Sequence, residues 1–142
     1  MNHLEIYIDG ASKGNPGHSG VGIVILSEGK QIKNISRYIG KATNNVAEYT
    51  ALIYALEEAL LLKASSLKIN TDSQLLARQL NKIYKIKHPG LISLFNQAVN
   101  LLTGFKKVLI CHIPREENSV ADKLATQAIK KTLSRQNVAA LS

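Results

Sequence analysis

Cysteine is nearly absent from this sequence: Cys111 is the only one in 142 residues. A lone thiol builds neither a disulfide framework nor a thiolate cage for zinc, so a reducing, cytoplasmic setting is expected. Tryptophan is missing, and two phenylalanines and five tyrosines make up the aromatic complement. A broad platform for stacking bases is therefore not expected, and any nucleic-acid recognition falls to the phosphate backbone. No apolar run approaches the ~18–20 residues of a membrane span. The opening MNHLEIYID carries Glu5 and lacks the basic stretch of a secretory signal, so neither anchor nor leader is expected. Serine-nucleophile elbows (GxSxG) and phosphate loops (GxxxxGK[ST]) are also missing. The glycines at 10, 14, 17 and 20 do not fit GxGxxG and do not lead into a helix, which argues against a nucleotide cradle.

Acidic residues are scarce as well. Ten Asp and Glu stand against 18 Lys and Arg, a net charge of +8. Such an excess raises the local concentration of polyanions and points to nucleic acid or another anionic surface. The lysines are spread along the chain, and there is no basic tail. A hydrophobic share of 45% and a charged share of 20% are those of a globular chain. The length suits one domain over 1–142, with a core over about 3–133 and a tail, 134–142, expected to fray.

Leu4–Asp9 alternates with period two and reads as a strand. The four glycines between Gly10 and Gly20 read as a loop. Val21–Leu26 and Gln31–Ile39 follow as strands, and their short connections predict an antiparallel meander. Thr43-Asn44-Asn45 offers a helix N-cap. From Val46 to Leu62 the apolar residues recur at helical spacing, with Ala51, Leu52, Ala55, Leu56 and Ala59 on one face. Ser66–Thr71 reads as a strand, Asp72-Ser73 as the opening of a helix to about Leu80, and Lys82–Pro89 as a basic connection. Gly90–Leu102 reads as a helix, Lys107–His112 as a strand, and Asn118-Ser119 as the cap of a last helix to about Leu133. The order βββαβααβα implies a mixed sheet with helices on both faces. Strand direction then follows by parity. With the first strand running up and its two successors antiparallel, the fourth and fifth strands run parallel to the first.

That parity gathers four carboxylates at one end of the sheet. Asp9 ends the first strand, Asp72 follows the fourth, and Glu48 and Asp122 lie in first turns of helices. Open α/β sheets keep their sites at the carboxyl ends of parallel strands. Local readings exist for each acid. Asp9-Gly10 can start a turn, Asn45-x-x-Glu48 and Ser119-x-x-Asp122 resemble capping boxes, and Asp72 can be an N-cap. Glu48, however, leads the apolar stripe of its helix, and Asp122 precedes Ala125 and Ile129 at the same spacing. Carboxylates converging at a partly buried point repel unless a cation neutralises them. An all-oxygen set suits Mg²⁺ or Mn²⁺, and with a basic surface it points to two-metal phosphodiester hydrolysis.

Four stretches carry a family likeness: Ile6–Pro16 (IYIDGASKGNP), Thr43–Tyr49 (TNNVAEY), Thr71-Asp72-Ser73 and Pro114–Ala125 (PREENSVADKLA). In this order and spacing they resemble the type 1 ribonuclease H family over residues 3–130, in its compact archaeal-type branch. The resemblance implies a ribonuclease H-like fold, an α/β five-stranded mixed sheet of three antiparallel and two parallel strands. It also implies a metal-dependent endonuclease cutting the RNA strand of an RNA–DNA hybrid, leaving 5′-phosphate and 3′-hydroxyl ends, with Asp9, Glu48, Asp72 and Asp122 at the metal positions. Two Mg²⁺ ions are implied in the substrate complex, with Mn²⁺ as a substitute. Asn15, Asn44 and Asn45 match positions that touch the hybrid's minor groove, where the 2′-hydroxyl distinguishes RNA from DNA. Lys41 and Thr43 match a pocket for a DNA-strand phosphate. A cytoplasmic monomer needing no protein partner is expected.

Two features depart from longer bacterial members. The connection between Leu80 and Gly90 is too short for their basic protrusion, leaving Lys82, Lys85 and Lys87 as partial substitutes. His112 stands ten residues before Asp122 at the end of an apolar strand, and it, Arg115 and Glu116 are candidate auxiliary groups. Two alternatives stay open on the sequence: a non-catalytic module that binds hybrid or duplex, and a related metal nuclease acting on duplex RNA or branched DNA.

Overall fold

The computed structural model describes residues 2–82 and 86–141, with side chains described as far as residue 137. Lys85, one of the three lysines expected to replace a basic protrusion, lies outside the described residues. The chain runs β1 (His3–Gly14), β2 (Gly17–Ser27), β3 (Lys30–Ala42), α1 (Asn44–Leu61), β4 (Ser66–Thr71), α2 (Gln74–Leu80), α3 (Pro89–Leu102), β5 (Lys107–His112), a 3₁₀ turn (Arg115–Asn118) and α4 (Ser119–Leu141). All five strands form one sheet in the order β3-β2-β1-β4-β5. The β1–β2 and β2–β3 pairs are antiparallel, and β1–β4 and β4–β5 are parallel, as parity required.

Alternation along the strands divides the two faces. Leu4, Ile6 and Ile8 of β1 and Val21, Ile23 and Ile25 of β2 are fully buried in one cluster with Leu52, Ala55, Leu56 and Ala59 of α1. On the opposite face, Gly20 and Gly22 of β2 lie against the backbone of α4 at Ala121 and Ala125. A 3.6-residue repeat on α1 thus meets a 2-residue repeat on the sheet. α3 docks on α1 through Leu91 and Ala98, both in that cluster.

The expected loop from Gly10 to Gly20 is corrected. β1 and β2 extend through it as a long hairpin, with pairs running from Glu5↔Leu26 to Gly14↔Gly17 and a cis Asn15–Pro16 peptide at the tip. Glycine is dense there for two different reasons. Gly14, at φ +93°, turns the chain, whereas Gly10 and Gly20 are strand residues that helices press against. The ending of α4 differs too. The tail expected to fray after Leu133 continues as helix to Leu141, because Ser134–Leu141 contains neither glycine nor proline to stop it. No helix among the described residues is long and apolar enough to cross a membrane.

Candidate metal centre

Four chain segments meet beside the middle of β1. Ile8 pairs with Thr71 across the parallel β1–β4 ladder, so the next residues, Asp9 and Asp72, emerge at the same level of the sheet. Thr43 caps α1 by accepting from the Val46 N–H at 3.2 Å, which places Glu48 in the second turn. Ser73 caps α2 by accepting from the Leu76 N–H at 3.1 Å. The local readings of these acids therefore fail: Thr43 and Ser73 do the capping, and Asp9 sits inside a strand. One oxygen from each of Asp9, Glu48 and Asp72 lies within 4.8 Å of the others. Asp122 stands outside that trio but lines the same hollow, and its charge raises the Asp9 carboxyl. The four line a hollow of about 480 Å³ with Gly10, Ser12, Asn44, Asn45, Ser73 and Arg115.

Close approach of the helices makes this convergence geometrically available. A Cβ on Gly10 would lie 2.3 Å from the Ala47 carbonyl carbon and 2.4 Å from the Glu48 nitrogen. A Cβ on Gly22, the partner of Asp9 across the ladder, would lie 1.9 Å from the Ala121 oxygen. Only hydrogen fits at either place, and the helices bearing Glu48 and Asp122 touch the strands there.

The electrostatics are unfavourable without a counter-charge. Burial, then the charges of Asp72 and Asp122, push the Asp9 carboxyl up to about 8, with Arg115 pulling down. Glu48 is raised well above the usual carboxylate range, first by burial and then by Asp9 and Asp72. Asp72 is also raised by burial, offset by a hydrogen bond from Asn118 and by the charges of Arg115 and His112. Glu48 is only 9% exposed, and its Oε2 has no hydrogen-bond partner. An unpartnered buried carboxylate oxygen in an all-oxygen cluster fits a hard divalent cation such as Mg²⁺.

A pH dependence follows for the metal-free protein. Unfolded Asp titrates near ~3.9, whereas folded Asp9 titrates at about 8. The folded state therefore binds more protons between those values, and stability falls as pH rises through that window. Calorimetry in chelator should give a lower Tm at pH 8 than at pH 5, with the deficit removed by Mg²⁺. A Tm independent of pH and of Mg²⁺ would contradict a cation-dependent cluster.

The remaining sequence-predicted residues divide. Asn44 and Asn45 line the carboxylate hollow. Asn15 lies in an adjoining hollow of about 270 Å³ with Thr43, Asn45, Val46, His88 and Leu91, and its Oδ1 accepts the Asn44 N–H at 3.0 Å, tying the hairpin to α1. Lys41 lines neither hollow. It is exposed and stands opposite His18 on β2. His112 is exposed at the end of β5 and reaches the site only through its charge on Asp72, while Arg115 lines the hollow and Glu116 does not. Asn118, read in the sequence as a cap, is a supporting residue. It is 1% exposed, and its Nδ2 donates to the Ile8 carbonyl at 2.8 Å, one residue before Asp9. The signal was present in the Asn118–Asp122 spacing but pointed to the helix rather than to the sheet.

Comparison with known proteins agrees with this geometry. A family model described as reverse transcriptase-like matches residues 7–128. A Halobacterium salinarum protein named ribonuclease HI is 44% identical over 127 residues, 89% of this chain and 64% of that protein. A bifunctional protein of Mycobacterium tuberculosis is 40% identical over 132 residues, 87% of this chain and 35% of its own length. The chain thus spans about a third of the mycobacterial relative and less than two thirds of the halobacterial one. Among solved structures, the crystal structure of ribonuclease H1 from Halobacterium salinarum superposes with a TM-score of 0.89 at 42% identity, covering 91% of this chain and 98% of that one. A ribonuclease H1 crystallised in complex with RNA/DNA hybrid gives 0.88 at 40% identity, covering 92% and 99%.

Proposed function

The chain belongs to the type 1 ribonuclease H family, and from that premise we propose that it hydrolyses the RNA strand of RNA–DNA hybrids. The observation that carries the reading is the meeting of Asp9, Glu48 and Asp72, from three separate elements, within 4.8 Å, with Asp122 on the wall of the same hollow. Acids so placed bind an anionic phosphate only with cations between them.

Asp9, Glu48, Asp72 and Asp122 hold the cations: two Mg²⁺ in the substrate complex, with Mn²⁺ as a substitute. Cations bound there neutralise charge on the scissile phosphate and supply an activated water at neutral pH. The residues of this chain do the rest. Asp9, whose carboxyl feels the charges of both Asp72 and Asp122, would be a ligand at the centre of the set. Asn118 fixes β1 beside Asp9 through the Ile8 carbonyl, and its amide pulls the Asp72 carboxyl down. Arg115, at the rim of the hollow, moderates the repulsion among the acids. Asn44 and Asn45 present amides that both donate to and accept from a ribose 2′-hydroxyl, a discrimination DNA cannot satisfy. Asn15 holds Asn44 in place. Cleavage leaves 5′-phosphate and 3′-hydroxyl ends, and the domain acts as a monomer.

The deciding experiment compares a labelled hybrid with duplex RNA and duplex DNA of the same sequence, in Mg²⁺, in Mn²⁺ and in chelator. Cuts confined to the RNA of the hybrid and dependent on cation are expected. Equal cleavage of duplex RNA would replace the hybrid reading with a duplex ribonuclease, and binding without cleavage would reduce the protein to a binding module.

A further inference from the structure

The carboxylate hollow continues into a second one. Ala11 and Ser12 line both, and the second, about 280 Å³, is completed by Lys13 of β1 and by Thr126, Ile129 and Lys130 of α4. On α4, Asp122, Thr126 and Lys130 recur at four-residue intervals and form one stripe. At ~1.5 Å rise per residue the stripe runs about 12 Å from the site to Lys130. Thr126 is held on it by a bond from its hydroxyl to the Asp122 carbonyl at 3.0 Å.

Lys13 faces this stripe. Ala11 pairs with Gly20, whose Cβ would meet Ala125 and Ala128 of α4, and Lys13, two residues on, projects from the same face. Its cross-strand partner is His18, which accepts or donates a 2.7 Å bond with Tyr38. Lys13 and Lys130 are both exposed, and among the described residues neither has an ion-pair partner. Of the ten acids, four are in the site, and none of the other six lines this second hollow. An uncompensated pair of cations beside a cluster built to hold a phosphate is an electrostatic path for the phosphates next to it.

We propose that Lys13 and Lys130 form a cationic shoulder that grips the phosphodiester backbone of the cut strand as it leaves the carboxylates. The inference rests on the nuclease reading, because that reading places the cut phosphate at Asp9. Contiguity through Ala11 and Ser12 selects the cut strand over its complement. The contacts are to phosphate, so they add affinity without sequence preference.

The test measures hybrid binding by fluorescence anisotropy and cleavage by steady-state kinetics. It compares the parent, the double variant Lys13→Ala/Lys130→Ala, and a control, Lys106→Ala/Lys107→Ala, at the opposite end of the sheet. Each phosphate contact removed lowers the salt slope of log affinity by about one. The double variant should therefore lose about two from that slope. Its affinity would then fall about sixteenfold less than the parent's between 50 and 200 mM salt. KM should rise and kcat should stay within about twofold. The control should keep the parent slope. An unchanged slope in the double variant, or an equal loss in the control, overturns the shoulder. Hybrids with either strand trimmed at the cut site then test the strand. Trimming the RNA should weaken the parent and not the double variant, and that pattern on trimming the DNA instead would overturn the assignment. Binding is read apart from cleavage, so a parent that binds hybrid without cutting it sinks the nuclease reading and leaves the shoulder still measured.

Discussion

Asp9→Asn is expected to lower hybrid cleavage at least about a thousandfold, a loss of roughly 4 kcal/mol of transition-state stabilisation. The substitution keeps the size of the side chain and removes the charge that the other three acids share with the cations. Its effect on stability has the opposite sign and depends on pH. At pH 5 the Asp9 carboxyl, displaced to about 8, is already protonated in the metal-free fold, so the asparagine changes little and the two Tm values should agree. At pH 9 the parent carries a buried charge beside Asp72 and Asp122, and the variant does not. There the metal-free variant should melt about 5 °C higher, from roughly 2 kcal/mol of relieved repulsion. Mg²⁺ should raise the Tm of the parent and leave the variant nearly unmoved. A variant that cleaves at the parent rate, or whose Tm responds to Mg²⁺ as the parent's does, would remove Asp9 from the centre.

Gly10→Ala should damage both fold and site with a single methyl group. The added carbon would meet main-chain atoms of Ala47 and Glu48 at 2.3–2.5 Å, with no flexible side chain to give way. The start of α1 has to move outward, at a cost of about 1–3 kcal/mol for overpacking. Glu48 moves with it, and a displacement of ~1 Å in a catalytic group costs about a hundredfold in rate. Activity should therefore fall about a hundredfold while the protein still folds with a Tm lower by several degrees. Gly29→Ala is the control. Gly29 has open space around it but takes φ +77°, so it should lose some stability and no activity. Parent-like kinetics in Gly10→Ala would show that Glu48 is not held by this contact.

These two predictions mark where the sequence was readable. Period-two alternation marked β1 and the 3.6-residue repeat marked α1, because one face of each meets the core and the other does not. Parity alone then brought Asp9, Glu48, Asp72 and Asp122 together before any coordinates. Dense glycine suggests backbone freedom and hence a loop, whereas Gly10 and Gly20 are there for lack of a Cβ, a property that depends on a helix dozens of residues away. Asn118 was taken for a cap for a similar reason. Its partner, Ile8, is 110 residues distant, and nothing local distinguishes an amide that caps a helix from one that ties a turn to a strand. Lys41, matched by resemblance to a phosphate pocket, stands on exposed β3 opposite His18 and outside both hollows, where only a bound strand would reveal its role.

The position of Asp122 on the last helix has a consequence for synthesis. β1, β4 and α1 can come together as the nascent chain emerges, but α4, which crosses back over β1, β2 and β3, follows them in the chain and is synthesised after them. Its docking brings in the fourth acid and closes the shoulder in the same event. Until that helix is in place, the hollow lacks one wall and Asp9 lacks the neighbouring charge of Asp122.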